Sequence, residues 1–330
     1  MAFLSSDISK GLGKLDTVLA APLSDFKHTT LISIVAVIIW LGGIHVSLLC
    51  FLFALFTLPS MAAYTILAIQ LSLVCLPVGE KPYFGEMVAK FVSDHAPKFF
   101  PLEFKMENRE AFDTEKTYVI ALEPHSIFPI GVVAMTRQAG RMPLQKMKCL
   151  ASSAIWCIPW VRHLWSWLGL TPASRQNFRK LLSEGYSTVL IPGGVQECLH
   201  LRPGAEVVFL KQRTGFIRMA MEAGAPLVPA FCFGQTNTYR YWKPKGEWFA
   251  RLSRSLGFTP LFFWGWCGTP LPFPEPMLLV VGSPIDVPKN PEPTREEILG
   301  TQEKFLAAMT ALFEKYKEEA GYPDLTLEIR

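Results

Sequence analysis

The chain has 330 residues, half of them hydrophobic and only 18% charged, with a net charge of +4 and a mean hydropathy of +0.26. So small a positive balance, with no basic run alternating with aromatics, excludes a nucleic-acid platform. The hydropathy excludes an ordinary wholly soluble domain, and the length allows two modest domains or one domain with an appendage.

Residues 1–28 are mixed polar and apolar, with Asp7, Lys10, Lys14 and Asp16 spaced for a short amphipathic helix. Between Lys27 and Glu80 there is no Asp, Glu, Lys or Arg. This interval, 29–79, predicts a membrane hairpin that divides at Leu58-Pro59-Ser60 into helices over 31–56 and 61–78. At 1.5 Å per residue these measure about 39 Å and about 27 Å, against a hydrocarbon core of roughly 30 Å. A cleaved signal peptide does not fit so long a stretch beginning thirty residues in. Lys10, Lys14 and Lys27 precede the pair and Lys81, Lys90 and Lys98 follow it, so both ends face the cytosol under the positive-inside rule. A re-entrant hairpin held in one leaflet fits equally well, since Pro59, Gly42-Gly43 and the short turn suit it too.

Residues 80–330 then form the cytosolic part. Lys81 to Met106, aromatic and interrupted by Pro97 and Pro101, reads as a connector along the membrane interface. From Thr117 strands alternate with helices. The expected strands are Thr117–Leu122, Met147–Ile155, Ser187–Ile191, Leu227–Phe233 and Met277–Val281. The expected helices are Phe128–Gly140, Pro159–Leu168, Arg175–Glu184, Thr214–Ala223 and a last one starting at the capping box of Thr294 and Glu297 and running to about Ala320. Such alternation predicts an α/β fold, a mostly parallel sheet flanked by helices. An aromatic-rich insert, 235–276, breaks the rhythm. It reads either as an irregular loop folded on the domain or, over Trp248 to Phe263 with Arg251 and Arg254, as a segment lying on the bilayer that helps admit a lipid.

Seven cysteines, an odd number without CxxC spacing, read as buried free thiols in a reducing compartment and speak against a structural metal. Three strand ends carry chemistry. Tyr118 to Leu122, charge-free and partly β-branched, stops at Glu123-Pro124-His125-Ser126, and the rims of open α/β sheets are where ligands bind. A lone histidine beside a proline is ordinarily a loop residue. The other five, His28, His45, His95, His163 and His200, follow no comparable strand. After the strand over 187–191, Pro192-Gly193-Gly194 lets the backbone turn sharply and expose amides, with Glu197 near the same rim. A basic group, Arg175, Arg179 and Lys180, then Lys211, Arg213 and Arg218, favours a polyanionic ligand.

These motifs resemble, in order, those of the type-2 diacylglycerol acyltransferases with the related monoacylglycerol and wax-alcohol acyltransferases. Phe99-Phe100-Pro101 matches Tyr-Phe-Pro. Glu123-Pro124-His125-Ser126 stands in the place of His-Pro-His-Gly, in the variant typical of plant members. Pro172-Ala173-Ser174-Arg175 matches Pro-x-x-Arg, Gly193 to Glu197 matches Gly-Gly-x-x-Glu, and Arg213-Thr214-Gly215-Phe216 with Leu227 to Gly234 matches the segment that follows. A more distant likeness is to glycerol-phosphate acyltransferases, whose His-x4-Asp is absent here because Ile130 occupies the Asp position.

The resemblance implies an acyl-CoA:diacylglycerol O-acyltransferase of glycerol-phosphate-acyltransferase-like fold, with no permanently bound cofactor and acyl-CoA as co-substrate. His125 is the expected base, with Glu197 as first choice and Glu123 as second choice for the carboxylate that orients its ring. Amides of Gly193, Gly194 or Ser126 are the expected oxyanion donors, and Arg175, Lys211, Arg213 and Arg218 the expected holders of the CoA phosphates. Diacylglycerol and membrane lipid are the implied partners. The implied location is the endoplasmic reticulum membrane with the catalytic part facing the cytosol, and lipid droplets as a second site. Cys198 as an acylated nucleophile is an alternative route, and a non-catalytic lipid-droplet hairpin scaffold an alternative function. The acceptor alcohol, acyl-chain preference, hairpin depth and homo-oligomerisation stay open.

Overall fold

Thr30 and Ser60, hydroxyls standing just before apolar runs, start the first two helices: their side chains accept from the amides of Ser33 and Ala63. The computed structural model describes residues 30–79, 82–244, 246–256 and 259–330, so the helix expected within residues 1–28 lies outside the described residues. Helix α1 spans Leu31–Thr57 and α2 Met61–Cys75. The second is three residues shorter than expected, because Pro77 disfavours helical geometry at Leu76, and measures about 22 Å. Only α1 among the described helices is long and apolar enough to cross a membrane.

The hairpin is not set apart at residue 80. Ala36, Val37, Trp40 and Leu41 of α1 are buried with Ala89, Val92 and Ala96 of α3 (Tyr83–Phe99) and with Val161, Leu164 and Trp165 of α4 (Pro159–Trp167). Trp165 Nε1 donates to the Trp40 carbonyl at 3.2 Å, and His163 Nε2 meets the Leu73 carbonyl at 2.8 Å. The segment expected as a connector along the membrane interface is helix α3 followed by strand β1 (Leu102–Met106).

After β1 come β2 (Val119–Glu123), β3 (Met147–Ala151), β4 (Leu170–Pro172), α5 (Arg175–Ser183), β5 (Ser187–Leu190), β6 (Ala205–Val208), α6 (Gly215–Ala223) and β7 (Leu227–Phe233). The insert holds β8 (Arg240–Trp242), α7 (Glu247–Leu256) and β9 (Phe262–Trp264), and the chain closes with β10 (Met277–Val281), α8 (Arg295–Tyr316) and β11 (Thr326–Ile329). Among the described residues one seven-stranded sheet runs β1-β10-β7-β2-β5-β3-β4, parallel throughout except where β10 meets β7.

Strand β2 is central and wholly buried. Its side chains alternate: Ile120 and Leu122 enter the cluster shared with α1, α3 and α4, while Val119 and Ala121 enter the one shared with α5, α6 and α8. Because β2 and β5 are parallel neighbours, the loops after them emerge side by side.

Some expectations are corrected. Phe128–Gly140 is no α-helix but two 3-10 turns, Ile130–Met135 and Arg137–Ala139. The Gly131 amide is taken by Gln235 Oε1 at 2.7 Å, a bond from outside the segment that replaces a helical one. Strand β10 closes the main sheet as expected, and an unexpected strand, β11, follows it and pairs with β6 in a separate two-stranded sheet. Of the seven free cysteines, Cys149, Cys198 and Cys232 are buried, whereas Cys75, Cys157 and Cys267 are exposed.

Candidate active site

His125 sits two residues beyond β2 and lines a largely apolar cavity of about 920 Å³ that reaches from α1 to the rim of the sheet. Its ring Nδ1 lies 3.0 Å from the Ser126 carbonyl. A carbonyl only accepts, so Nδ1 carries the hydrogen and Nε2 the lone pair. Burial lowers the ring's pKa from its usual 6.5, which keeps it neutral and basic at pH 7.

The two glutamates are close to His125 but do not orient its ring. Glu197 Oε2 accepts from the His125 backbone amide at 2.7 Å and Oε1 from the Phe209 amide at 2.9 Å. Both oxygens are thereby committed to main chain, and the orienting part expected of Glu197 falls to the Ser126 carbonyl. Glu123 is fully buried beneath, beside the Glu197 carboxyl. Burial and the neighbouring negative charge raise its pKa well above the carboxylate range. Its Oε2 has no hydrogen-bond partner among the described residues. Burial raises Glu197 as well, to about 7, with hydrogen bonds from the His125 and Phe209 amides and the charge of Arg213 opposing that rise, so Glu123 holds its proton and Glu197 is the partner that ionises first.

The glycines make room for this arrangement. A Cβ at Gly193 would lie 1.7 Å from Glu197 Oε1, so no larger residue fits while the carboxylate stays in place. Gly194 adopts φ of 60°, turning the chain at the end of β5. The Gly193 amide faces Glu123 Oε1 at 3.4 Å, and Gly194 lines the cavity.

Ser126, also at positive φ, turns its hydroxyl away from the cavity to Thr236 Oγ1 at 2.8 Å, and Thr236 donates to the buried Glu206 at 2.9 Å. Burial pushes the Glu206 carboxyl up to about 8. Gln235, buried, donates through Nε2 to the Pro124 carbonyl at 2.6 Å while Oε1 holds Gly131. Gln235, Thr236 and Glu206 were not legible as site residues. The only available signal was their place, Gln235 and Thr236 just after β7 and Glu206 within the short strand β6, and none of the three has a motif of its own.

Cys198 donates to the Ser126 carbonyl at 2.9 Å, and burial pushes its thiol up to about 12. It is a buried hydrogen-bond donor at pH 7 and not a thiolate.

Next to the apolar cavity opens a second pocket of about 560 Å³ lined by Arg175, Arg179, Arg213 and Arg218, the two sharing Arg175, Leu190, Pro192, Arg213, Gly215 and Phe216. Lys211 is exposed outside both pockets; its amide donates to the Arg330 carbonyl, because the chain here runs on to join β11. Arg179 lines the second pocket, its guanidinium paired with Glu222 at 2.9 Å and 3.1 Å.

A diacylglycerol acyltransferase family model matches residues 56–330. The 2-acylglycerol O-acyltransferase 3 of Homo sapiens is 31% identical over 69% of this chain and 72% of its own length. The diacylglycerol O-acyltransferase 1 of Schizosaccharomyces pombe is 30% identical over 67% and 68%, and the diacylglycerol O-acyltransferase 2B of Umbelopsis ramanniana 29% identical over 90% and 91%. Among solved structures, the 1-acyl-sn-glycerophosphate acyltransferase PlsC of Thermotoga maritima aligns at a TM-score of 0.40 and 16% identity, over 80% of this chain and 95% of that one.

Proposed function

The chain belongs to the diacylglycerol acyltransferase family, and from that premise we propose that it makes triacylglycerol by direct transfer from acyl-CoA, with His125 as general base. The observation that carries the mechanism is a neutral imidazole in an apolar cavity that shares a wall with a pocket of four arginines. Arg175, Arg213 and Arg218 suit the phosphates of CoA, which a guanidinium can grip bidentately, with Arg179 held beside them by Glu222, and the apolar cavity suits the acyl chain and a lipid acceptor.

His125 Nε2 takes the hydroxyl proton of diacylglycerol as the hydroxyl oxygen attacks the thioester carbonyl. The C–O ester bond forms, the C–S bond breaks, and the imidazolium returns the proton to the departing CoA thiolate. The Ser126 carbonyl steadies the imidazolium through Nδ1–H. Of the two glycines, Gly193 has its amide turned to Glu123, which leaves Gly194 to donate to the oxyanion. An apolar cavity excludes water and so limits thioester hydrolysis. The protein associates with membrane through α1; the endoplasmic reticulum, with lipid droplets as a second site, is its proposed location.

The test is transfer from labelled acyl-CoA to diacylglycerol by the purified full chain. His125→Ala is expected to lose about 10²- to 10⁴-fold, and Cys198→Ala to keep turnover within about threefold of wild type. Equal triacylglycerol from wild type and His125→Ala would end the general-base assignment. A wild type that makes none yet coats lipid droplets favours a scaffold.

A further inference from the structure

The insert carries an apolar surface that stays exposed among the described residues. Trp248, Leu252 and Leu256 recur every fourth residue along α7 and are 59%, 40% and 44% exposed, while Phe249 and Ser253 turn inward. On the adjoining β8–β9 hairpin Trp242 and Phe262 stand 5.8 Å apart, also exposed. Arg251 lies exposed on the same helix. A helix with one apolar face, bordered by tryptophan and arginine, has the composition of a segment that lies in the headgroup layer.

This surface is continuous with the membrane hairpin. Phe263, the residue after Phe262, points the other way and meets His45 of α1 edge-on at 5.7 Å. It is anchored there by Phe128 and Tyr239 at 5.3 Å and 5.1 Å. From Val46 onward α1 bares Leu48, Leu49, Phe51 and Phe53. The strap from Thr259 to Phe263 therefore touches α1 between the exposed Ile38 and Ile39 and the exposed run from Val46 onward. The cavity that contains His125 is walled by Trp40, Leu41 and Ile44 of α1 on one side and by Thr259, Pro260, Leu261 and Phe263 of the strap on another.

We propose that α7 and the β8–β9 hairpin lie on the bilayer as a second membrane contact, and that the seam between the strap and α1 is the lateral portal through which the lipid acceptor enters the cavity from the membrane. The proposal rests on the acyltransferase reading, since it is that reading that requires an insoluble acceptor. The acyl donor, being soluble, enters by the arginine pocket on the sheet rim and needs no such seam.

The test uses the full chain in phosphatidylcholine vesicles and a combined variant, Trp248→Ser, Leu252→Ser, Leu256→Ser and Phe262→Ser, none of which lines the cavity. With dioleoylglycerol in the bilayer the rate is expected to fall about tenfold, while with dioctanoylglycerol supplied from solution it stays within about twofold and the KM for acyl-CoA is unchanged. Equal loss on both acceptors, or loss on neither, overturns the portal. A second readout needs no activity: brominated phosphatidylcholine is expected to quench a share of tryptophan fluorescence that disappears in Trp248→Phe. Undiminished quenching in that variant overturns the membrane contact alone, whereas a wild type inactive on both acceptors overturns the enzymatic reading and the portal with it.

Discussion

At the scale of single residues, Glu197 governs His125 through the main chain. Its carboxylate ties the His125 amide to the Phe209 amide, so it sets where the imidazole stands without touching it and is a positioning residue. Gly193→Ala tests this, because the added methyl would displace Glu197 Oε1. A shift of about 1 Å in a reacting group costs about 10²-fold. The expected outcome is a fall of that order in kcat with an unchanged KM for acyl-CoA. In a His125→Ala background the same change should cost almost nothing more, because both act through one imidazole; full additivity of the two losses would sink the assignment. The motifs naming His125, Gly193 and Glu197 were legible as strand-end signals. That Glu197 grips an amide and Glu123 keeps its proton was not, because both depend on which atoms a buried loop brings within 3 Å.

At the scale of elements, the arginine pocket comes from two places: the first turns of α5, and the segment from Gln212 to Arg218 at the start of α6. Their positive charge lies at helix N-termini, where the amides favour an anion as well. Arg213→Ala is expected to raise the KM for acyl-CoA about tenfold with little change in kcat, and Lys211→Ala to change neither. Steady-state kinetics on acyl-CoA decide it, and a Lys211→Ala effect as large as that of Arg213→Ala would refute the pocket as the phosphate site. Sequence periodicity located α1, α2, α4, α5, α6 and α8 and the strands β2, β3, β5, β7 and β10 to within a few residues, since those elements show one face or none to water, but it missed α3, α7, β1 and β4. It did not reveal β6 and β11, which pair with each other across more than a hundred residues and are stabilised by that partnership, not by any local pattern.

At the scale of the whole molecule, three carboxyl groups are sealed beneath the His125 loop: Glu123, Glu197 and Glu206. Each has its pKa raised by burial, Glu206 to about 8 from an ordinary 4.5. Unfolded, Glu206 loses its proton near 4.5; folded, it keeps it to about 8. Across that interval the folded state binds more protons, so the stabilisation present below about pH 4.5 is lost as the pH rises toward 8. Thermal unfolding is expected at a lower Tm at pH 8 than at pH 5.5, with the difference reduced in Glu206→Gln, which keeps an acceptor for Thr236. A Tm that rises over this interval, or a slope indifferent to Glu206→Gln, would count against the buried acid cluster.

The sequence by itself determined the apolar hairpin, the alternation of strands and helices, and the residues that carry chemistry at the ends of β2 and β5, because hydrophobic period, caps and glycine turns act over a few neighbouring positions. Only the tertiary structure decided that α1 walls the same cavity as His125, that Arg179 and not Lys211 lines the arginine pocket, and that the ring's Nδ1 meets a carbonyl and not a glutamate. Those outcomes are set by distances between segments far apart in the chain, and close packing of buried groups, which no local pattern encodes, chooses among them.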